Sequence, residues 1–193
     1  MDPASIALQK QSMRRSMRGL RRRLASADPT ADERAAQLLP LGFISRFGKV
    51  GGYNAQGSEL SPNPLLRRLA AAGAKIALPA VIDPQAPLEF RECELPFERD
   101  YFGFPAPPPR ARVLRPDLVI APVLAFDRMG GRLGQGAGCF DRSLAELRRG
   151  GRLFVIGLAY AGQEVDRVPL EPFDELLDAI LTETAYTEAQ RVR

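Results

Sequence analysis

Three glycines at alternate positions, Gly134, Gly136 and Gly138, stand between Arg132 and Asp141 in the run RLGQGAGCFD. That spacing lets backbone N–H groups converge on an anion with no Cβ atoms in the way. A helix predicted to start at Asp141 adds its unpaired N-terminal donors and the positive end of its dipole. Arg132 brings a guanidinium that can grip phosphate oxygens in pairs. The chemistry within reach of this run is phosphate binding. The spacing is neither the dinucleotide fingerprint nor a Walker loop, because no Gly-Lys-Ser/Thr follows. Taken alone, the glycines are equally open to a bland reading, a tight strand-to-helix turn with no ligand.

The chain has 193 residues and no histidine. That excludes Ser-His-Asp and Cys-His nucleophilic catalysis and any zinc site using His. Phosphoryl transfer survives, since it depends on positioning and charge stabilisation rather than on an imidazole base. Two cysteines, Cys93 and Cys139, are too few for a disulfide framework, so a reducing cytoplasm is expected. No apolar run approaches the roughly 20 residues that cross a bilayer, and no membrane partner is expected. The length suits one domain with its own core.

The elements that must position this run alternate as in an α/β protein. Leu118–Val123 is a buried strand, followed by a turn carrying Asp127. Asp28-Pro29 opens a helix through about Leu39, and Ser61-Pro62 opens another, with Gly73 at its left-handed end. Lys49–Tyr53 is a strand whose Gly51 and Gly52 allow close backbone approach. Lys75–Leu78 is a strand ended by Pro79, and Leu88–Cys93 another. Pro105–Pro109 is a covering loop rather than a linker or a polyproline ligand. A helix from Asp141 to Arg149 is stopped by Gly150-Gly151, and strands follow at Leu153–Leu158 and Leu177–Leu181.

The net charge of +4 is concentrated at the start, where Lys10, Arg14, Arg15, Arg18, Arg21, Arg22 and Arg23 crowd one segment. Ile6, Met13, Met17, Leu20 and Leu24 line one helical face. Nucleic-acid contact, a membrane-surface helix and a transit peptide are the functional readings of such a helix. A solvated face on a docked helix accounts for most of the arginines, and the lack of interleaved aromatics argues against a nucleic-acid partner.

The string from Arg132 to Arg142 resembles the signature of the 5-formyltetrahydrofolate cyclo-ligase (methenyltetrahydrofolate synthetase) family, close to RLGYGGGYYDR. Arg132, Leu133, Gly134, Gly136, Gly138, Asp141 and Arg142 match in register. Lys10 with Met13-Arg14 is similar to the family's K-x-x-L-R, and a match that begins there argues against a cleaved transit segment. Tyr53 to Glu59 resembles Y-x-P-x-x-x-E, and Lys75 with Leu78-Pro79 resembles K-x-x-L-P. Ala159-Tyr160, Gln163 to Pro169, and Asp174, Asp178 and Thr182-Glu183 follow the family's later blocks.

The resemblance implies a three-layer α/β/α sandwich with a mostly parallel sheet, the NagB/RpiA/CoA-transferase-like architecture. It implies an ATP- and magnesium-dependent reaction that closes 5-formyltetrahydrofolate to 5,10-methenyltetrahydrofolate. Arg132 and the run Leu133, Gly134, Gln135, Gly136, Ala137, Gly138, Cys139 and Phe140 would then hold ATP, helped by Lys10 and Arg14. Arg132 and Asp141 would carry catalysis, Asp141 and Asp174 would hold magnesium, and Asn54, Glu59 and Phe140 would face the folate. Simpler readings stand beside these: a helix N-cap for Asp141, an exposed loop acid for Glu59, mere packing for Cys139. Where the family has tyrosines this chain has Gln135, Cys139 and Phe140, and it carries Ala137, Ala106 and Phe173 at other family positions. A divergent paralogue that binds nucleotide but acts on another substrate, or on none, therefore remains the alternative. The oligomeric state is open, with a monomer the default.

Overall fold

The computed structural model describes residues 3–190. Among these, five α-helices and eleven strands follow one another: α1 (Pro3–Ala27), α2 (Ala31–Leu38), α3 (Leu41–Ile44), β1 (Lys49–Gly51), α4 (Asn63–Ala71), β2 (Lys75–Ala80), β3 (Glu89–Glu92), β4 (Glu98–Arg99), β5 (Pro105–Ala106), β6 (Leu118–Pro122), β7 (Ala125–Phe126), β8 (Arg132–Leu133), α5 (Cys139–Arg149), β9 (Phe154–Leu158), β10 (Ala179–Leu181) and β11 (Tyr186–Glu188). Seven strands form one sheet in the order β11-β10-β9-β6-β1-β2-β3. The five central strands run parallel, and β3 and β11 close the edges antiparallel.

Central strands covered on both faces must be apolar on both, and LVIAP at β6 meets that demand. Leu118 and Ile120 join a core with Ala35 of α2, Phe43 of α3 and Leu65 and Leu69 of α4. Val119 and Ala121, on the other face, join a core with Leu144 of α5. The result is the three-layer order expected, helices on both sides of a mostly parallel sheet. α1 packs across one end, where Met17 meets Leu124, Ala125, Leu133 and Val168.

Three boundaries depart from expectation. Pro79 does not end β2, which continues to Ala80 and pairs Pro79 with Phe90. Ala77 gives its carbonyl to Gly52 on the β1 side. Pro79, two residues on, faces that side beyond the end of β1, where no donor is required. The helix predicted from Asp141 starts at Cys139, with Gly138 as its left-handed N-cap at φ +69°. Asp141 therefore lies in the first turn and is not the cap. Asp28 likewise does not cap α2, whose N-cap is Thr30 without a side-chain cap bond; Asp28 instead pairs with Arg34.

Close approach explains Gly51 and Gly52. A Cβ would lie 2.8 Å from the Phe90 ring at the first and 2.6 Å from Leu66 at the second. The Asp127 turn is also as expected, and its mechanism is visible. Buried Asp127 accepts backbone N–H groups from Met129 and Gly131 at 2.9 Å and from Val168 at 2.8 Å. It closes the β7–β8 hairpin that presents Arg132.

Candidate functional site

A strand order of this kind has a switch point. From β1 the chain proceeds to β2 and β3 on one side, and from β6 to β9, β10 and β11 on the other. Ligands of open α/β sheets sit at the carboxyl ends of the strands where the order reverses. Here a cavity of about 500 Å³ lies there, lined by Tyr53 and Asn54 after β1, Pro79 and Val81 of the β2 end, and Pro122 to Leu124 of the β6 end. The volume is that of a small-molecule site.

All the residues singled out in the sequence converge on this cavity: Lys10, Arg14, Asn54, Glu59, residues 132–141 and Asp174. They come from four separate segments. α1 contributes a stripe at positions 10, 14, 18 and 21, one helical face. Lys10, nearly buried, holds Glu171 at 2.7 Å and Asp174. Arg14 donates to the Gly134 carbonyl at 3.0 Å. Arg21 is buried against Ser58 at 3.2 Å and Glu59 at 3.4 Å. The reading of this helix as a mostly solvated basic face thus holds for Arg15, Arg18, Arg22 and Arg23, which are exposed; Lys10 and Arg14, set apart by the family resemblance, line the cavity, and the reading fails for Arg21, which is buried there.

The glycine loop leaves its backbone donors unpaired among the described residues. Arg14 occupies the Gly134 carbonyl, yet among the described residues the N–H groups of Gly134 to Gly138 meet no acceptor. Gly136 and Gly138 have φ of +115° and +69°, where an L side chain is strained. Ala137 is not at such an angle, since among the described residues none other than glycine has positive φ. Its methyl in place of the family's glycine costs no backbone strain. Below the loop, Arg132 is buried and donates from Nη2 to Asp141 Oδ1 at 2.5 Å, while its Nε has no partner. An orphaned guanidinium donor in a cavity is a place for an acceptor to be supplied by a ligand.

Asp141 Oδ1 also accepts the Glu175 N–H at 3.2 Å, and Asp174 Oδ2 accepts that of Glu171 at 2.7 Å. Each carboxylate has one oxygen engaged and one with no donor among the described residues. No cluster of three or more acidic or thiol side chains forms a ready metal cage among those residues. Two carboxylates suit magnesium, which keeps several waters and takes its remaining ligands from substrate phosphates. The donor set fits.

The opposite wall is different. Glu59 is not an exposed loop acid: only 6% of its side chain is accessible. It accepts Arg21, the Gln56 N–H at 2.9 Å and the Gln135 amide at 3.4 Å. Burial, with Glu59 adding to it, pushes the Tyr53 phenol well above its ordinary value. Tyr53 is held neutral and donates to the Leu60 carbonyl. Asn54 gives its amide to the Pro105 carbonyl at 2.6 Å and so faces β5, for the segment expected as a covering loop from Pro105 begins as a strand paired with β4. Cys139 lies against the Ala137 carbonyl and Arg142. Phe173 sits under the Lys10 ammonium, 5.8 Å from the ring centroid.

Several cavity residues were not singled out from the sequence. Phe102 and Phe104 reach it from the tip of the β4–β5 hairpin. Asp100 shapes that tip by accepting the N–H groups of both, at 3.0 and 2.9 Å. Glu171 was not read either, and Arg21 was read only as part of the basic run. The helical spacing of positions 10, 14, 18 and 21 was a usable signal for Arg21. An aromatic pair ahead of a proline-rich loop carries no spacing signal at all.

A family model described as the 5-formyltetrahydrofolate cyclo-ligase family matches residues 6–183. The chain is similar to the 5-formyltetrahydrofolate cyclo-ligase of Mycolicibacterium smegmatis, 32% identical over 69% of this chain and 72% of that one. It is 28% identical to that of Haemophilus influenzae over 89% of this chain and 96% of the relative. In fold it is similar to the 5,10-methenyltetrahydrofolate synthetase of Aquifex aeolicus, with a TM-score of 0.73 at 23% identity, covering 95% of this chain and 94% of the other. The synthetase of Mycoplasma pneumoniae gives 0.71 at 21% identity, covering 90% and 98%. The signature around the glycine loop and the matches along most of the chain's length agree, and the chain belongs to the 5-formyltetrahydrofolate cyclo-ligase family.

Proposed function

We propose that the chain acts as one cyclo-ligase domain that converts 5-formyltetrahydrofolate and ATP to 5,10-methenyltetrahydrofolate, ADP and phosphate. The observation that carries this reading is the buried Arg132 with its unpaired Nε, beneath a glycine loop whose N–H groups have no acceptor. A polyanion is what such a site lacks.

A formamide oxygen cannot leave as hydroxide, and a phosphate ester can. The formyl oxygen forms a bond to the γ-phosphorus as the bond to ADP breaks. N10 then bonds to the activated carbon and loses its proton, and the carbon–oxygen bond breaks with departure of phosphate. The protein's part is to hold two polyanions in line and neutralise the moving group. Arg132 and the loop donors at residues 134–140 bind the phosphates, with Lys10 and Arg14 flanking them. Asp141 and Asp174 would hold magnesium, which would offset the negative charge of the phosphates during transfer. Glu59 accepts the pterin N–H groups, and Phe140, Phe102 and Phe104 offer faces to the flat rings. Asn54 orders the loop at the folate end. The two cysteines are free, and no described helix is long and apolar enough to cross a membrane. Both support a place in the reducing cytoplasm.

Purified protein given ATP, magnesium and 5-formyltetrahydrofolate is expected to yield methenyltetrahydrofolate with equal amounts of ADP and phosphate. Phosphate should not appear without the folate, because the acceptor oxygen belongs to it. Nucleotide binding with no methenyl product at saturating folate would overturn the reading in favour of another substrate.

A further inference from the structure

Arg18 reaches from α1 to a single residue of the glycine loop. Its Nε donates to the side-chain oxygen of Gln135 at 3.2 Å, and its Nη2 donates to the Gln135 backbone carbonyl at 3.3 Å. A cation at the amide oxygen leaves the amide only one orientation, with its NH₂ turned the other way. There it meets Glu59 Oε1 at 3.4 Å. Arg21 approaches the same oxygen at 3.4 Å, and the Gln56 N–H holds Oε2 at 2.9 Å. Gln135 stands between Gly134 and Gly136, inside the segment whose N–H groups await an anion. One side chain therefore joins the loop that would take phosphate to the carboxylate that would take the pterin.

We propose that Gln135 is a positioning residue that couples the two halves of the site, with Arg18 acting through it. The inference rests on the roles given above to the loop and to Glu59. When the loop settles around phosphates, the amide shifts with it and sets the Glu59 carboxylate for the folate. Such a coupling is reciprocal: folate must tighten nucleotide by the same factor as nucleotide tightens folate. A glutamine suits the task because its acceptor and donor lie on separate atoms, one for the cation and one for the carboxylate. Gln135 is exposed, so its replacement does not threaten the fold.

The test is the Kd of 5-formyltetrahydrofolate with and without a non-hydrolysable ATP analogue and magnesium, in wild type and variants. Wild type should tighten at least about five-fold with the analogue, the low end of ordinary coupling between sites. Gln135→Ala should reduce that factor below about two while the Kd of the analogue alone stays within about three-fold, because the loop's backbone donors remain. Arg18→Ala should act in the same direction and Arg18→Lys should restore part of the factor. The double variant should be no worse than Gln135→Ala, as for residues in one chain of contacts. A Gln135→Ala protein that couples as wild type does, or a wild type that binds both ligands without coupling, overturns the inference and leaves the cyclo-ligase reading standing. A wild type that binds no 5-formyltetrahydrofolate overturns both.

Discussion

Arg132 and Asp141, nine residues apart, meet at 2.5 Å beneath the glycine loop, and the arginine keeps one buried nitrogen free. The loop between them is thus clamped at both ends by a charge pair. One partner faces the expected anion, and the other carries a carboxylate oxygen open to a cation.

Arg132→Ala should lower kcat/KM for ATP by about 10²–10³-fold, the usual loss when one preorganised donor to a developing charge is removed. It should also cost on the order of 2–4 kcal/mol of stability, since Asp141 loses its partner in a mostly buried setting. Arg132→Lys keeps the charge and should recover stability more than activity. Steady-state kinetics and thermal melts check this together; unchanged ATP kinetics in the alanine variant would remove Arg132 from the site.

Asp141→Asn retains an oxygen for the Glu175 N–H and the Arg132 guanidinium but discards the charge. Because Gly138 is the N-cap, the change does not uncap α5; Arg132 keeps a hydrogen-bond acceptor but loses its counter-charge, so the melting temperature should fall, by less than in Arg132→Ala. A hard cation needs the carboxylate. The magnesium concentration for half-maximal rate is expected to rise at least ten-fold, and a normal magnesium titration in this variant would refute the metal assignment.

Glu59→Gln leaves Arg21 buried without its counter-ion and replaces an acceptor-only group with one that also donates. Hydrogen bonds to a charged group contribute about 1.5–3 kcal/mol, so the folate KM should rise roughly ten- to hundred-fold. The KM for ATP should change far less. Equal effects on both substrates would point to general loosening of the cavity.

Tyr186 in β11 gives a pH signature unconnected with the site. Burial, with Glu188 adding to it, pushes its phenol up to about 12. The folded state therefore retains a proton that the unfolded chain releases near 10. This contribution to stability is fully present below pH 10 and is lost as pH rises through about 12. Among the described residues the buried hydroxyl has no partner, so Tyr186→Phe should leave stability at pH 7 unchanged or raised, and should flatten the alkaline decline. Urea melts between pH 8 and 11.5 measure both; a destabilised variant at pH 7 would mean that the hydroxyl has a partner.

Local chemistry was legible in the chain because it is carried by neighbours in sequence. The glycine loop, the Asp127 turn, the apolar run of β6 and the glycines where backbones approach closely all depend on residue type at fixed short spacing. Short strands were legible only in part: β4, β5, β7, β8 and β11 span two or three residues, too few for any period to show, and each exists because a partner strand is present. The extension of β2 through Pro79 depends likewise on where β1 stops.

Between distant segments, nothing in the chain's order says which charge meets which. Apart from Arg14, the arginines of α1 read alike in sequence, yet helical rotation sends Arg14 and Arg21 to the cavity and Arg18 to Gln135 on the exposed side of the loop, while Arg15, Arg22 and Arg23 remain in water. Lys10 finds Glu171 and Asp174 more than 160 residues away, and Phe102 and Phe104 reach the cavity on a hairpin that no periodicity announced. The sequence by itself determined a glycine loop of the cyclo-ligase type on an α/β frame. The pairing of its charges and the far wall of the cavity were decided by tertiary packing, because those contacts depend on strand order and helix rotation rather than on spacing along the chain.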